Sequence, residues 1–223
     1  MVDLALFRVP AFAGGIGAIT LWGFGMLGIY FFASLDLQDE LRLSPTGAGL
    51  VFVPMAVCMI AGSIVSARLA RALGTVRLVP AGMVLMGLGV GSVSLFGARA
   101  GWLAIEPSYL VIGLGAGLTT PLTSSIVGVL PRARAGVASA LFNAARQTGG
   151  LLGVTVLGVV VQARRSAALR GGATPPAAFL SAYHAAVVVA AALLLGGAVA
   201  AWASLRGAPR QAAEPVEEVA LAG

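Results

Sequence analysis

The side chains with the clearest chemical potential form a polar stripe in an otherwise apolar stretch. Ser139, Asn143 and Gln147 recur at intervals of four residues, and Arg146 follows Asn143 by three. At about 3.6 residues per turn, these side chains share one face of a helix. A guanidinium beside two amides can donate hydrogen bonds to carbonyls of a neighbouring helix or to a polar or anionic ligand. The stripe is predicted either to brace a second helix or to contact a substrate, with a proton path or gate as a third alternative.

A second polar patch surrounds a proline within an apolar stretch. Pro121 is flanked by hydroxyl side chains, namely Thr119, Thr120, Thr123, Ser124 and Ser125. Proline removes one backbone hydrogen bond from a helix, and a hydroxyl or a neighbouring helix can satisfy the carbonyl that is left free. These hydroxyl groups are expected either to bond back to their own helix or to line a cavity.

Groups that could bind and release a proton are few. Asp36, Asp39, Glu40 and Glu106 fall at the edges of apolar stretches or in predicted loops, and His184 lies at the start of the last stretch. A proton-coupled transporter needs a buried carboxylate or histidine that changes protonation during its cycle. The sequence therefore predicts no carboxylate within the spans, so any ion-coupling groups would lie outside this chain.

Motifs for enzyme, cofactor or metal chemistry are absent from the sequence. Cys58 is the single cysteine, which excludes an intrachain disulfide and a multi-cysteine metal site. A Gly-x-Gly-x-x-Gly pattern occurs at Gly23, Gly25 and Gly28, but it lies in an apolar helix with no preceding strand, unlike a nucleotide-binding loop. There is no Walker sequence and no His-Glu-x-x-His motif. We predict no enzyme activity, no cofactor and no metal.

The elements that position these residues follow from the distribution of charge. The 223 residues are 59% apolar, and fourteen arginines and eight acids leave long intervals between them that are almost free of charge. About 20 helical residues cross the ~30 Å hydrocarbon core of a bilayer, where every backbone polar group must be paired internally. We predict an all-α integral membrane protein with six transmembrane helices, at about residues 10–33, 48–67, 78–98, 108–130, 137–162 and 181–204.

These helices are predicted to form one bundle over residues 1–205, followed by a disordered cytoplasmic tail at 206–223. With the N-terminus inside, eight arginines lie on the cytoplasmic side and five on the other, so both termini are predicted to be cytoplasmic. The net charge of +6 does not indicate a nucleic-acid partner, because the apolar composition excludes a soluble binding domain.

Glycine is abundant within the predicted helices. Small residues let helix backbones approach closely in lipid, where apolar contact alone gives no drive for association. The spacing therefore predicts tight helix packing, and sliding or rocking of the helices during transport is the alternative. Pairs separated by three residues occur at Gly87 and Gly91, Gly113 and Gly117, and Gly149 and Gly153.

Small and polar residues follow a specific order over residues 113–158. The stretch contains Gly-x-Gly-x-Gly at 113–117, Pro121, Ala-Gly-Val-Ala-Ser at 135–139, then Asn143, Arg146, Gln147, Gly149, Gly150 and Gly153. In these positions it closely resembles the C-terminal part of the fourteen-helix drug:proton antiporters of the major facilitator superfamily. Leu43-Ser44-Pro45, the run at 47–50 and Pro54 are similar to a loop and helix entry of the same branch.

A basic segment between the second and third spans resembles the superfamily's cytoplasmic loop motif in degenerate form. The matching positions are Arg68, Arg71, Gly74, Arg77 and Gly82. The segment departs from the motif at Ala70, where the family carries an acid, and in the two residues that separate Arg71 from Gly74. The resemblance alone therefore does not imply the motif's usual gating interaction here.

The resemblance covers nearly the whole chain, but only the last six helices of the family's architecture. It implies a C-terminal half or fragment of an efflux transporter in the bacterial cytoplasmic membrane, exporting hydrophobic or amphipathic compounds such as drugs and antibiotics by proton antiport. The stripe from Ser139 to Gln147 would line the cavity between two bundles, with polar contacts from Thr119, Thr120 and Thr123. Gly113, Gly117, Pro121, Gly149, Gly150 and Gly153 would serve helix packing and gating.

The expected partners are the lipid bilayer, a small hydrophobic substrate and protons, with no nucleic acid. Alternating access requires two bundles, so a separate N-terminal half or a second copy of this chain is a further expected partner. The alternative is a six-helix membrane protein that does not transport, acting as an assembly partner or surviving as a gene remnant.

Overall fold

Apolar helices account for nearly all of the described residues. The computed structural model describes residues 8–97, 101–127 and 135–206. Within these ranges it has six helical segments long and apolar enough to cross a membrane, two of them interrupted. The α-helices are α1 (Pro10–Leu35), α2 (Pro45–Val51), α3 (Val53–Leu73), α4 (Thr75–Ser92), α5 (Trp102–Leu118), α6 (Pro121–Val127), α7 (Ala135–Arg170) and α8 (Pro175–Arg206). The all-α membrane fold is confirmed.

Local sequence explains where several helices begin and end. Pro10 and Pro45 occupy first-turn positions, where a missing N–H costs nothing. Ser44 caps α2, since its hydroxyl accepts a hydrogen bond of 3.1 Å from the Gly47 amide. Gly74 alone joins α3 to α4, with a φ of 80°, a left-handed conformation that favours glycine. These signals place the turns between successive spans.

Several helices continue beyond their predicted bounds, α7 and α8 among them. α7 runs to Arg170, past the predicted end at 162, and α8 starts at Pro175 rather than 181. Charge marks where an apolar stretch stops, but a helix backbone can continue past the lipid. Residues 98 and 128–130 of the predicted spans lie outside the described residues, as do Arg99, Arg132, Arg134, Arg210 and the tail from 207.

The acids do not all lie where the sequence predicted. The helix of α1 continues as a π-helical turn over Asp36–Glu40, and the first span includes Asp36 and Asp39. Glu106 lies inside α5, and His184 lies about two and a half turns into α8. The structure therefore places Asp36, Asp39 and Glu106 near helix ends rather than in loops. The prediction treated each charge as the end of a span. It therefore did not allow for an acid that polar neighbours can accommodate inside a bundle.

Glycines let α7 pack directly against the backbone of α1. A β-carbon added at Gly149 would collide with the Thr20 carbonyl oxygen, and one at Gly153 with that of Phe24. On the opposite helix, a β-carbon at Gly23 would collide with the Arg146 carbonyl oxygen. Gly23 belongs to the Gly-x-Gly-x-x-Gly pattern, so its structural role is this α1–α7 contact, which we call the α1–α7 seam.

Glycines on two faces of α5 similarly hold α3 and α4. Gly113 and Gly117 lie against the carbonyl oxygens of Met55 and Met59 in α3. Gly115 faces α4, where an added β-carbon would lie 2.6 Å from the Met86 amide nitrogen. α8 packs against α1, α4 and α7. The contacts of α5 with α3 and α4 thus leave no room for a larger residue at these glycines.

Alanine substitutions in α1 provide a test of the seam. We expect Gly23→Ala to lower the free energy of unfolding by about 1–3 kcal/mol, because overpacking forces the two backbones apart. The matched control is Gly17→Ala in the same helix, since nothing lies within 4 Å of an added β-carbon there. This control should be neutral or stabilise by up to about 1 kcal/mol through helix propensity. Reversible unfolding of the purified chain in mixed micelles measures both, and equal effects would contradict the packing described.

Candidate functional site

The polar stripe of α7 is held together by bonds within its own helix. The Asn143 Nδ2 donates to the Ser139 carbonyl oxygen at 3.1 Å, and the Arg146 Nη2 donates to the Asn143 Oδ1 at 3.4 Å. Asn143 and Gln147 are exposed, whereas Arg146 is partly buried. Its Nε is buried and has no hydrogen-bond partner within the described residues. The guanidinium thus keeps unused donors for a ligand or a neighbouring helix.

The stripe lies beside the seam that fixes α7 to α1. The Arg146 carbonyl oxygen is in contact with Gly23, and Gly150 packs on the Leu27 side chain. One edge of the stripe is therefore anchored by backbone packing, while the Asn143 and Gln147 side chains face outward from the bundle. This places amide groups on a surface of α7 that the described helices leave uncovered.

The hydroxyl groups around Pro121 bond back to backbone carbonyls. The helix breaks at Thr119 and Thr120, and Pro121 is the first residue of α6. Thr119 Oγ1 donates to the Ala116 carbonyl at 2.6 Å, and Thr120 Oγ1 to that of Gly117 at 2.7 Å. Ser124 likewise donates to the Pro121 carbonyl. These bonds satisfy carbonyls at the end of α5, as expected at a helix break in a membrane.

Thr120 also links α5 to α3. Its Oγ1 lies 2.5 Å from the Ser63 Oγ. Because Thr120 already donates its hydroxyl hydrogen to Gly117, Ser63 is the donor in this pair. Thr120 and Thr123 are exposed, whereas Thr119 is buried. No hydrogen bond joins this patch to the α7 stripe in the described part of the chain, so the structure does not assemble the two predicted patches into one cluster.

The loop motif lies at the same end of the bundle as the Pro121 patch. Gly74 forms the single-residue turn, with its amide donating to the Ala70 carbonyl at 3.0 Å. Arg71 and Arg77 are exposed on either side of the turn. The structure therefore presents two cations at the surface where the resemblance placed a loop motif.

An aromatic groove lies between α1 and α3, with α5 at its base. Tyr30 stacks on Phe52 at 4.2 Å between ring centroids, and Phe52 lies 5.4 Å from Tyr109. The space beside them is also bordered by Met26 and Met55. We call this site the aromatic groove. Aromatic and methionine side chains suit apolar ligands of varied shape, because they supply large contact areas and methionine adapts its shape.

This groove is not predicted by the sequence. Its residues come from four helices with no shared spacing, and each aromatic taken alone is typical of a membrane-facing or core residue. A second cavity, bordered by Asp36, Tyr183 and His184, lies at the far end of the bundle from Gly74. Asp36 is only 7% exposed. The position of Asp36 directly after the first apolar stretch is the sequence feature that could have predicted this cavity.

Comparison with known proteins agrees with this architecture. A family model described as "Major Facilitator Superfamily" matches residues 3–154. The chain belongs to the major facilitator superfamily. With its apolar spans, it is a multi-pass bacterial membrane protein.

Its superfamily relatives include named efflux and export proteins. The chain is 34% identical to the multidrug efflux pump LfrA of Mycolicibacterium smegmatis over 164 residues, which is 73% of this chain and 32% of the relative. It is 32% identical to the tetracenomycin C resistance and export protein of Streptomyces glaucescens over 165 residues, 74% of this chain and 31% of the relative. The cephamycin export protein CmcT of Amycolatopsis lactamdurans is 34% identical over 172 residues, 75% and 35% of the two chains.

The matched region is about a third of the length of these superfamily relatives. The relatives are transporters rather than enzymes, in agreement with the sequence prediction. The family assignment made from residues 113–158 is confirmed, and the six spans are one part of the larger transporter architecture.

A double-mutant cycle tests the bond between Ser63 and Thr120. We expect Ser63→Ala and Thr120→Val to show a coupling energy of about 0.6 kcal/mol, with an upper bound of about 1.7, as for hydrogen bonds between membrane helices. Unfolding in mixed micelles measures the cycle. Pairing Ser63→Ala with Ser124→Ala is the control, because Ser124 bonds to its own helix, and this cycle should show no coupling. Equal coupling in both cycles would contradict a direct bond.

Proposed function

We propose that this chain is one half of an efflux transporter that exports hydrophobic or amphipathic compounds in exchange for protons. Alternating access requires two bundles that rock about a site between them, and the described helices form one bundle. The other would be a separate N-terminal half or a second copy of the chain. The proposal draws on the export and efflux relatives, and it assigns to this chain the binding surface of one bundle.

The observation that carries the proposal is the aromatic groove between α1 and α3. It offers stacked rings and two methionines beside a partly open space, which is a suitable surface for an apolar compound. Tyr30 is 38% exposed, whereas Phe52 is only 4% exposed, so Tyr30 is the ring that is reached from outside the bundle. A ligand held between this groove and a second bundle would be enclosed on both sides.

The α7 stripe is proposed to act beside the groove. α1 separates the two, since it packs on α7 through the α1–α7 seam and borders the groove with Met26 and Tyr30. Asn143, Arg146 and Gln147 would present donors to the cavity between bundles, and Ser139 anchors Asn143 through its carbonyl. Thr120 and Thr123 would add polar contacts at the end of α5. Both termini are proposed to be cytoplasmic.

The glycines of the helix contacts and Pro121 are proposed to govern movement of the helices. Gly113, Gly117, Gly149 and Gly153 keep adjoining helices in backbone contact, and Gly150 packs on the Leu27 side chain, so pairs of helices would move as units. Pro121 begins a separate helix, which allows the end of the span to reorient. The exposed arginines at the Gly74 turn would contact the second bundle on the cytoplasmic side.

The second candidate function is a six-helix assembly partner that does not transport. It is favoured by one observation, that the matched region covers about a third of the length of its relatives. Transport distinguishes the two candidates. We expect proteoliposomes with the chain and the N-terminal bundle of a relative to move an amphipathic fluorescent dye when a proton gradient is applied.

The chain alone, reconstituted at the same density, is the control. Movement by the chain alone would show that two copies form the transporter. No movement in either preparation, with both proteins folded and inserted, would overturn the proposed function in favour of the assembly partner. Collapse of the gradient with an ionophore should abolish any movement that depends on protons.

Substitution of Arg146 tests the role of the stripe. We expect Arg146→Ala to reduce dye movement about tenfold in the two-bundle preparation, because a hydrogen bond to a charged group contributes about 1.5–3 kcal/mol. Arg146→Lys should recover part of the activity, since it keeps the charge but loses the planar fork. Arg164→Ala is the control, since Arg164 is exposed on the same helix beyond the apolar stretch. Unchanged movement by Arg146→Ala at normal expression would remove the stripe from the mechanism.

A further inference from the structure

Arg146 is a cation inside the apolar part of α7 that has no acidic partner among the described residues. It lies eleven residues after Ala135, the first residue of α7, which is about 16 Å along the helix axis. At that depth the side chain does not easily reach water at the end of the helix. A guanidinium keeps its positive charge in proteins, and the side-chain hydrogen bond that this one makes is to the neutral amide of Asn143. The charge is therefore not balanced within the described bundle.

The carboxylates of the described residues lie far from this charge. Arg146 is level with Gly23, since a β-carbon added at Gly23 would collide with the Arg146 carbonyl oxygen. Asp36 follows Gly23 by thirteen residues along α1, which is a rise of about 20 Å. Asp39 lies in the same turn as Asp36, and Glu106 lies near the start of α5, at the same end of the bundle. A counter-charge for Arg146 must therefore be supplied from outside the described helices.

The guanidinium has donors that a ligand can reach. The Arg146 Nη1 makes no hydrogen bond in the described part of the chain, and it is not among the nitrogen atoms that the protein encloses completely. The exposed amide of Gln147 is the next side chain on the same helix. A carboxylate accepts two parallel hydrogen bonds from one guanidinium, and such charge-assisted bonds are stronger than those between neutral groups. A cationic ligand would instead be repelled, and a neutral ligand would leave the charge unbalanced.

A short path along α1 joins the level of Arg146 to the aromatic groove. Gly23 contacts the Arg146 backbone, and Met26 and Tyr30 follow Gly23 by three and seven residues, so the three positions share one face of α1. Met26 and Tyr30 border the aromatic groove, and Tyr30 is exposed. The rise from Gly23 to Tyr30 is about 10 Å. An elongated aromatic compound is therefore long enough to extend from the groove to the level of Arg146.

We propose that Arg146 binds the acidic group of an aromatic, amphipathic acid whose ring system lies in the aromatic groove. The carboxylate oxygens accept hydrogen bonds from the guanidinium, while Tyr30 and Met26 contact the apolar body of the compound. The substrate class is thus aromatic acids, in preference to neutral or cationic compounds of the same shape. The inference rests on the proposed function, in that the bound acid is the exported compound, although binding itself does not require transport.

Three pyrene derivatives of matched size test the charge of the ligand. They are pyrenebutyrate, which is an anion at neutral pH, its neutral amide, and the cation pyrenebutylamine. The full chain is reconstituted in nanodiscs of a zwitterionic lipid, with empty nanodiscs as the background. Saturable energy transfer from tryptophan to pyrene measures each dissociation constant. We expect the acid to bind at least about tenfold more tightly than the amide, as for a hydrogen bond to a charged group, and the amine to bind most weakly.

Substitutions assign the preference for the acid to one side chain. Arg146→Gln should weaken acid binding about tenfold and leave amide binding unchanged, because glutamine keeps a donor but not the charge. Arg146→Lys should retain part of the preference, since it loses only the planar fork. Arg164→Gln is the matched control, because Arg164 is exposed on the same helix beyond the apolar stretch, and it should retain the full preference. Tyr30→Ala should weaken binding of all three probes, since contact with a ring does not depend on their charge.

Three results would overturn the proposal: equal affinity for acid and amide, a preference for the acid that persists in Arg146→Gln, and an equal loss in Arg164→Gln. Unchanged amide binding verifies that the arginine variants are folded. Preference for the acid with no dye transport would leave the acid site standing and reject the proposed function. Dye transport with no preference for the acid would do the reverse.

Two further measurements distinguish the acid from other sources of negative charge. Phosphatidylglycerol in the nanodiscs should not remove the difference between the wild-type chain and Arg146→Gln. If it does, the guanidinium binds a lipid headgroup and the proposal fails. Addition of the N-terminal bundle of a relative should likewise preserve acid binding, and its loss would assign Arg146 to an acid of that bundle instead.

Discussion

Close backbone contact between helices is the constraint on which the rest of this structure depends. Lipid chains are as apolar as leucine, so the helices gain little by burying apolar side chains against each other. They associate where glycine removes the side chain altogether, as at Gly149 against Thr20 and Gly117 against Met59. Dispersion contacts and aligned backbone groups then replace the hydrophobic effect as the source of stability.

These glycine contacts also determine which pairs of helices remain apart. α1 is fixed to α7 and α8, and α3 is fixed to α5. The space between α1 and α3 is bridged by the rings of Tyr30 and Phe52 rather than by glycine contacts. Glycine contacts hold α1 and α3 to other helices, so the two helices do not close on each other. The space between them is therefore a groove lined by aromatic side chains. A separate cavity bordered by Asp36 lies where α1 becomes a π-helical turn.

The sequence predicted the spans because solvation by lipid is a local property, readable from charge and length alone. It also predicted close packing at Gly113 and Gly149, since the spacing of small residues is periodic along one helix. It could not place Asp36 inside the bundle, because the hydroxyl groups of Tyr109 and Tyr183 come from distant parts of the chain. The aromatic groove could not be predicted either, because its residues also come from distant parts of the chain.

Interruptions of the helices coincide with the aromatic groove and with the cavity bordered by Asp36. Phe52 lies between α2 and α3 and also borders the aromatic groove, and Asp36 begins the π-helical turn and borders its cavity. At such points the regular backbone hydrogen bonds are interrupted, and π-helical turns often accompany functional sites. The seams resist any change in helix separation, whereas these ends can reorient at lower cost. Binding energy released by a ligand at Phe52 would therefore act where the backbone yields most readily, and the packed middle of the bundle would move as one body.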